Sequence, residues 1–351
     1  NAPKGEVILV AAQNVQLIDT GHPGVTVELT GAKGDVKNLG RIVADAGRIG
    51  LAAGLVTNAG TVSASSAESV GGRVFLRATD LKTTSTSDIS ANGTSGGNVV
   101  LSADNTNIDG RVSATGSNGL GGFVDTSGHL SLNVKHAPIV GKGGEWLIDP
   151  SNLVVVAGGG GADLNNGGVV TSTETGTTVG ADVITAQLNQ GMSVSLVTGA
   201  GGAGVGNIVV SAAIAKTAGD YARLTLRAHN DVTVNAPITS TSGALDLDLK
   251  NNFFGGTSEG GHVATVNANV NLNGGRLDVS QGEALGNGTL NITGGTTTLG
   301  AGSSINAASV NVQTGGRVSI DSEQTLKGAW NNAGQIDIVN NGSINLANPM
   351  E

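Results

Sequence analysis

The chain has no cysteine among its 351 residues. That excludes a disulfide framework and thiol chemistry. It leaves the compartment open, because secreted and cytosolic proteins alike can lack cysteine. Six prolines are too few for collagen or a polyproline stalk. Aromatic residues make up only 2%. Charged residues are 13%, about half the usual share, which argues against a disordered, solvated chain. There is no Lys/Arg cluster and the net charge is −9, so neither nucleic acid nor an anionic membrane surface is expected as a partner. No apolar run reaches the length of about 18 residues that a spanning helix needs, and no membrane insertion is expected. The opening NAPKGEVILVAAQ lacks the charged-then-apolar pattern of a leader and reads as a strand already under way. The chain is expected to be a piece of a longer protein.

What the sequence holds instead is glycine, 58 residues of it, together with Val, Ala, Leu, Ile and Thr. The glycine is ordered. GGRVFLRATD begins at Gly71, GGNVVLSADN at Gly96 and GGFVDTSGHL at Gly121, with a weaker AGRIGLAAGL at Ala46. The second members, Gly47, Gly72, Gly97 and Gly122, follow one another at 25 residues and are read as structural turn glycines. About 15 to 17 residues after each marked glycine a second short phrase recurs: GTVSAS at Gly60, SDISANG at Ser87, GRVSATG at Gly110. A fixed period of this size signals stacked repeats. A propeller blade needs about 40 residues, and the leucine-asparagine pattern of a leucine-rich repeat is absent. The best fit is an all-β solenoid, a parallel β-helix of about 25 residues per turn with loop excursions and one short helix. Val74 and Leu76 should then face inward, and Arg73 and Phe75 outward. Corner glycines should supply left-handed dihedrals. A narrow aliphatic interior should leave little room for rings. One turn cannot hold itself together. Burying about six aliphatic side chains yields roughly 9 to 18 kcal/mol, whereas ordering its backbone costs roughly 25 to 50 kcal/mol, so stability must come from stacking.

The period breaks at KHAPIVGKGGEWLIDPSNLVVV (Lys135 to Val156). Three regions are expected: regular turns over 1–145, an excursion with a loop and short helix over 146–206, and a less regular continuation over 207–351 with roughly 20 to 26 residues per turn. GADVITAQLNQG (Gly180 to Gly191) is the helix, with Val183, Ala186 and Leu188 on one side, Asp182 in its first turn and Gly191 ending it. Twelve to fourteen turns of about 4.8 Å would make a rod roughly 60 Å long.

Three segments carry a resemblance. The run from GEVILVAAQ to AGTVSA, the phrase GGEWLIDPSNLVV, and NIVVSAAIAKTAGDYARLTLRAHNDVTVNAPI occur in the order found in filamentous-haemagglutinin-like exoproteins of two-partner secretion. They cover about residues 1–240, and WLIDP resembles a signature of the adhesin members. The asparagine-proline-asparagine motifs of the family's secretion domain are absent, so this chain would not direct its own export. The resemblance implies a right-handed parallel β-helix at the bacterial cell surface or released outside it. It implies an outer-membrane two-partner-secretion transporter for the parent chain, and a role in adhesion, aggregation or biofilm formation. Members of this kind include CdrA-like matrix adhesins, which bind exopolysaccharide. A polysaccharide or a host or bacterial surface receptor is the implied partner.

No catalytic, cofactor or metal constellation stands out. GAGGAG (Gly199 to Gly204) fits a dinucleotide fingerprint, but a strand-like VGNIVVSA follows it where a helix is required. GGGGAD (Gly158 to Asp163) is a single copy of a calcium repeat that works only in tandem. The five histidines (His22, His129, His136, His229, His262) are scattered. ALDLDL places Asp246 and Asp248 on one strand face, with Asp278 able to stack nearby. Paired carboxylates could cleave a polysaccharide. The plainer reading is leucines inward and aspartates toward water, with no His, Tyr or Arg cluster joining them. Trp146 reads as a sugar-stacking platform or as a packed plug beside a loop. Ligand contact is expected in the excursion at about 157–206 and at Phe253 and Phe254 in NNFFGGTSEGGH, a pair that can equally cap the core. Asn92, Asn287, Asn291 and Asn341 begin N-x-S/T triplets. The function expected is that of a rigid adhesin segment, not an enzyme. The alternatives are a polysaccharide-degrading enzyme and a passive spacer.

Overall fold

The computed structural model describes residues 2–19, 25–67, 69–158, 169–173, 176–199, 206–251, 264–281 and 286–346. The chain is all-β apart from one helix among the described residues, and its strands pair overwhelmingly in parallel. It divides into two compact units, Asn1–Asp149 with Asp163–Ser172, and Pro150–Ala162 with Thr173–Glu351.

In the first unit each repeat contributes a long strand and a short one, and two repeats add a further strand, Gly93–Ser95 and Gly116–Leu120, which pair in parallel. The long strands Arg48–Asn58, Arg73–Thr83, Asn98–Ile108 and Phe123–Val134 pair in parallel, each with the next. The short strands Arg41–Val43, Thr61–Ser63, Asp88–Ser90 and Arg111–Ser113 form a second parallel ladder. Register is in phase with the period: Ile49, Val74, Val99 and Val124 lie over one another, as do Leu51, Leu76 and Leu101. All seven are buried. Arg73 and Phe75 alternate with them on the open side. Along Arg48–Asn58 the buried positions run 49, 51, 53 and then 56, 58. One extra residue there resets the two-residue alternation, so both halves of the strand keep an inward row. One departure from parallel pairing is the antiparallel hairpin of Ala12–Asp19 with Val25–Ala32.

The repeat glycines serve a different purpose from the one expected. None of Gly47, Gly72, Gly97 and Gly122 has positive φ. A Cβ on Gly72 would lie 2.1 Å from the carbonyl oxygen of Gly47, and one on Gly97 would lie 2.1 Å from that of Gly72. Those carbonyls accept the amides of Arg73 and Asn98 at 2.9 and 3.0 Å. The period therefore marks close approach of backbone to backbone, which only a residue without Cβ permits.

Three parallel ladders run through the described residues of the second unit, beside a further parallel pair of Glu323–Leu326 with Ser343–Leu346. One runs Ala222–Arg227, Leu245–Asn251, Arg276–Gln281, Ser304–Asn306. A second passes from Ile208–Val210 through Val232–Val234, Ala264–Val266, Thr289–Ile292 and Ser309–Val312 to Ala329–Asn332. The third runs from Ile214–Lys216 to Gln335–Ile338. The step between partners is more variable than the expected 20 to 26. Val232 pairs with Ala264, 32 positions on, and Val318 with Ile336, 18 positions on. Stacking tolerates this because loops of different length can join strands of unchanged register.

The helix spans Ala181–Asn189 and ends before Gly191, at φ +71. Its buried side is Val183, Ile184, Gln187 and Leu188, while Ala186 is exposed. The stripe follows the i, i+4 pairs 183/187 and 184/188, which leave Ala186 off its axis. The interior also admits rings. Trp146 and Trp330 are both buried, and each indole N–H reaches an oxygen, on Thr126 Oγ1 and Lys327 C=O respectively, at 3.0 Å. A tryptophan can enter such a core when its single donor is satisfied.

Candidate functional site

Among the described residues of the second unit, titratable side chains of several strands converge with an aromatic ring on the outward side of the ladder that carries ALDLDL. Leu245, Leu247 and Leu249 face inward and are fully buried, so Asp246 and Asp248 take the opposite face. Register then decides their neighbours. Arg223 pairs with Asp246, and Asp248 with Asp278, which in turn pairs with Asn306. Arg276 stands two residues before Asp278 on the same face. Tyr221, the only tyrosine in the chain, precedes Ala222–Arg227 and lies over Asp246.

The contacts form a graded network. Asp246 uses both oxygens: Oδ2 accepts the Tyr221 hydroxyl at 2.9 Å and Oδ1 accepts the Arg276 backbone amide at 2.9 Å. Arg223 donates to the Tyr221 hydroxyl at 3.1 Å and stands 3.5 Å from Asp246. Asp278 is fully buried and saturated, accepting from Ser280 Oγ at 2.6 Å and Asn306 Nδ2 at 2.7 Å. Asp248 lies between the guanidinium groups, 3.7 Å from Arg223 Nε and 3.8 Å from Arg276 Nη2. Those distances make ion pairs but not hydrogen bonds. Its Oδ1 has no hydrogen-bond partner although the residue is only 5% exposed. Burial pushes the Asp248 carboxyl above the ordinary aspartate range, against the pull of Arg223 and Lys250. Burial and the bond to Asp246 push the Tyr221 phenol up, so it stays a neutral donor at pH 7.

This corrects the plainer reading of ALDLDL. The leucines do face inward, but Asp248 and Asp278 are buried, and a tyrosine and two arginines do join them. The pair 246/248 is visible as a motif, and Asp278 does stack beside it, paired with Asp248. Tyr221, Arg223 and Arg276 arrive through register across steps of 23 and 30 residues, which no local pattern announces.

Trp146 is fully buried and anchored to Thr126, so no face of its ring is open to a sugar; the platform reading gives way to packing. Phe253 and Phe254 lie outside the described residues, as do most of GGGGAD, of GAGGAG and of the 157–206 excursion's loops. A strand, Ile208–Val210, follows GAGGAG. Of the N-x-S/T asparagines, Asn92, Asn287 and Asn291 hydrogen-bond through their side chains to other residues, and Asn341 is exposed. Among the described residues no group of three or more metal-type ligands occurs. None of their helices is long and apolar enough to cross a membrane. A shallow groove of about 450 Å³, lined by Gly295, Gly315, Gly316, Gly334 and Arg317, offers little chemistry because Arg317 is tied to Asp337.

Fold and cluster together define a class: an all-β protein of stacked parallel strands that carries a half-open Tyr–Arg–Asp network on one sheet face. No protein-family model matches the sequence, and no curated protein is significantly similar to it.

Proposed function

We propose that the chain is a segment of an extracellular or cell-surface adhesin whose strands wind as a right-handed parallel β-helix. In this reading the parent leaves the cell through an outer-membrane two-partner-secretion transporter, and the segment mediates adhesion, aggregation or biofilm formation by contact with a glycan or surface receptor. The observation that supports it best is that separate ladders advance together. Val74 to Val99 and Val62 to Ile89 climb by nearly the same step, as they must if each repeat is one turn of a coil. Such a stack draws its stability from the interfaces between neighbouring turns and holds its outer faces at fixed spacing, which suits reach and display. The three segments resembling filamentous-haemagglutinin-like exoproteins support the same reading.

The test is to compare adhesion and aggregation by cells displaying the parent with and without this segment, at matched surface expression. Loss on deletion is expected. Unchanged adhesion would make the segment a spacer. A second reading, polysaccharide cleavage, draws on Asp246 and Asp248 sharing a face with Asp278. Against it, Asp246 is committed through both oxygens, and Asp248 is nearly wholly buried and ion-paired between two guanidinium groups, out of reach of a bound chain. Turnover of a polysaccharide that disappears in Asp246→Asn and Asp248→Asn would favour it.

A further inference from the structure

We infer that Asn118 is a site of self-modification: the backbone nitrogen of Gly119 attacks its side-chain amide, and the chain acquires aspartate and isoaspartate at that position. Any Asn-Gly pair is disposed to this reaction, because glycine puts no Cβ in the way of the attack. What varies is whether the fold restrains the two reacting groups. Five such pairs lie among the described residues, at Asn92, Asn118, Asn273, Asn287 and Asn341; a sixth, at Asn166, lies outside them. Four of the five are restrained. The amide that must attack is already donated, from Gly93 to the Thr115 carbonyl at 2.9 Å, from Gly288 to that of Val279 at 3.1 Å and from Gly342 to that of Val339 at 2.9 Å. The Gly274 amide donates to Ser303 Oγ at 3.2 Å. Three of the side chains are held as well. Asn92 bonds to Ser113 and Thr115, Asn287 to both backbone groups of Gln281, and Asn273 to the Gly243 carbonyl.

Asn118 stands in a different setting. Gly93 pairs with Gly116 and Ser95 with Leu120, so the single residue Thr94 faces three, Ser117, Asn118 and Gly119. The excess length bulges out of the ladder. All three residues are exposed, and the Asn118 side chain has no hydrogen-bond partner among the described residues. Gly119 is at φ +85, and nothing lies within 4 Å of the place a Cβ would take. The apex of a bulge can reach the attacking geometry at little cost, whereas a ladder or turn amide must first give up its acceptor.

The reaction balances with water alone. Hydroxide removes the Gly119 amide proton, and the nitrogen forms a bond to Asn118 Cγ. The side-chain nitrogen, protonated by water, leaves as ammonia. Water then opens the cyclic imide. Opening at the side-chain carbonyl gives aspartate; opening at the backbone carbonyl gives isoaspartate, with the main chain rerouted through the former side chain. Either product adds a carboxylate to a chain whose net charge is already −9. Isoaspartate lengthens the backbone where the strand already holds excess length, so the paired ends Gly116 and Leu120 keep their places.

The test incubates the whole folded chain at mildly alkaline pH and follows each Asn-Gly peptide by mass spectrometry, with an isoaspartate-specific methyltransferase to count the rerouted product. Asn118 should convert about fivefold or more faster than each of the other four, the factor that corresponds to opening one backbone hydrogen bond first. In urea, where the fold no longer restrains any of them, the five rates should converge to within about a factor of three. The converted chain should keep the circular dichroism and unfolding midpoint of the fresh one. Conversion at Asn118 no faster than at the four restrained sites, the same ranking at the same ratios in urea, or a converted chain whose unfolding midpoint has dropped would each overturn the inference. None of these outcomes depends on the adhesin reading, which stands or falls on the deletion experiment.

Discussion

Substituting alanine for glycine at two positions of the first unit should have opposite consequences, and the difference isolates what the 25-residue period is for. At Gly97 an added Cβ would sit 2.1 Å from the Gly72 carbonyl oxygen and 2.5 Å from the Gly71 carbonyl carbon and oxygen, all backbone. Ordinary contact needs more than 3 Å, so neighbouring strands must separate by roughly 1 Å at that corner. The Asn98 amide would then leave the Gly72 carbonyl, now 3.0 Å away. Overpacking costs about 1–3 kcal/mol and an unmade buried hydrogen bond another 1–3, so a loss of roughly 2–6 kcal/mol is expected. At Gly40 nothing lies within 4 Å of the added Cβ and φ is not positive. Gly40→Ala should be neutral or stabilise slightly, by up to about 1 kcal/mol, through the unfolded chain. Urea unfolding followed by circular dichroism, read as the midpoint at constant slope, measures both. If the two variants unfold together, or Gly97→Ala costs less than about 1 kcal/mol, close approach is not what the repeat encodes.

Trp146→Ala should cost about 3–5 kcal/mol by denaturant unfolding without changing any glycan affinity, because the ring is wholly interior. Lys216 is a fully buried lysine whose Nζ donates to the carbonyls of Ala218, Gly219 and Ser242 at the corner between ladders. Lys216→Met keeps the stem but leaves the Ala218 carbonyl without its donor and those of Gly219 and Ser242 with only a serine hydroxyl each, so a loss of about 1–3 kcal/mol and faster amide exchange around 217–219 and 242 are expected. The Asp125 carboxyl is raised by burial, against its bond to Ser127 and the charges of Arg77 and His129. A folded value above the unfolded one, near 3.9, means that its contribution is fully present below that pH and is lost as pH rises through the folded value. Asp125→Asn should therefore gain stability relative to the parent on going from pH 4 to pH 7, as read from unfolding midpoints; a pH-independent difference would contradict the burial argument.

Where the period is constant, register can be read from the sequence by subtraction. Gly72 lies over Gly47 because both begin the same phrase 25 residues apart, and Val74, Val99 and Val124 follow. The columns of like residues and the inward row of the first unit were legible on that ground. What the spacing could not convey was the reason for the glycines: a close approach and a left-handed corner leave the same letter in the sequence. In the second unit subtraction fails. Between Asp248 and Asp278 lie 252–263, and the step is 30, whereas the next step, to Asn306, is 28. A one-residue error in either would turn Asp278 toward the leucines. Arg223, Arg276 and Tyr221 each look like an isolated polar residue beside a strand, and only the solved register makes them neighbours. The same reasoning explains why Asp248 is the informative residue. A surface carboxylate chosen only for solubility would point to water. This one is nine-tenths enclosed and is held by ion pairs at 3.7 and 3.8 Å to Arg223 and Arg276, a buried charge cluster whose desolvation is offset only in part by the pairing.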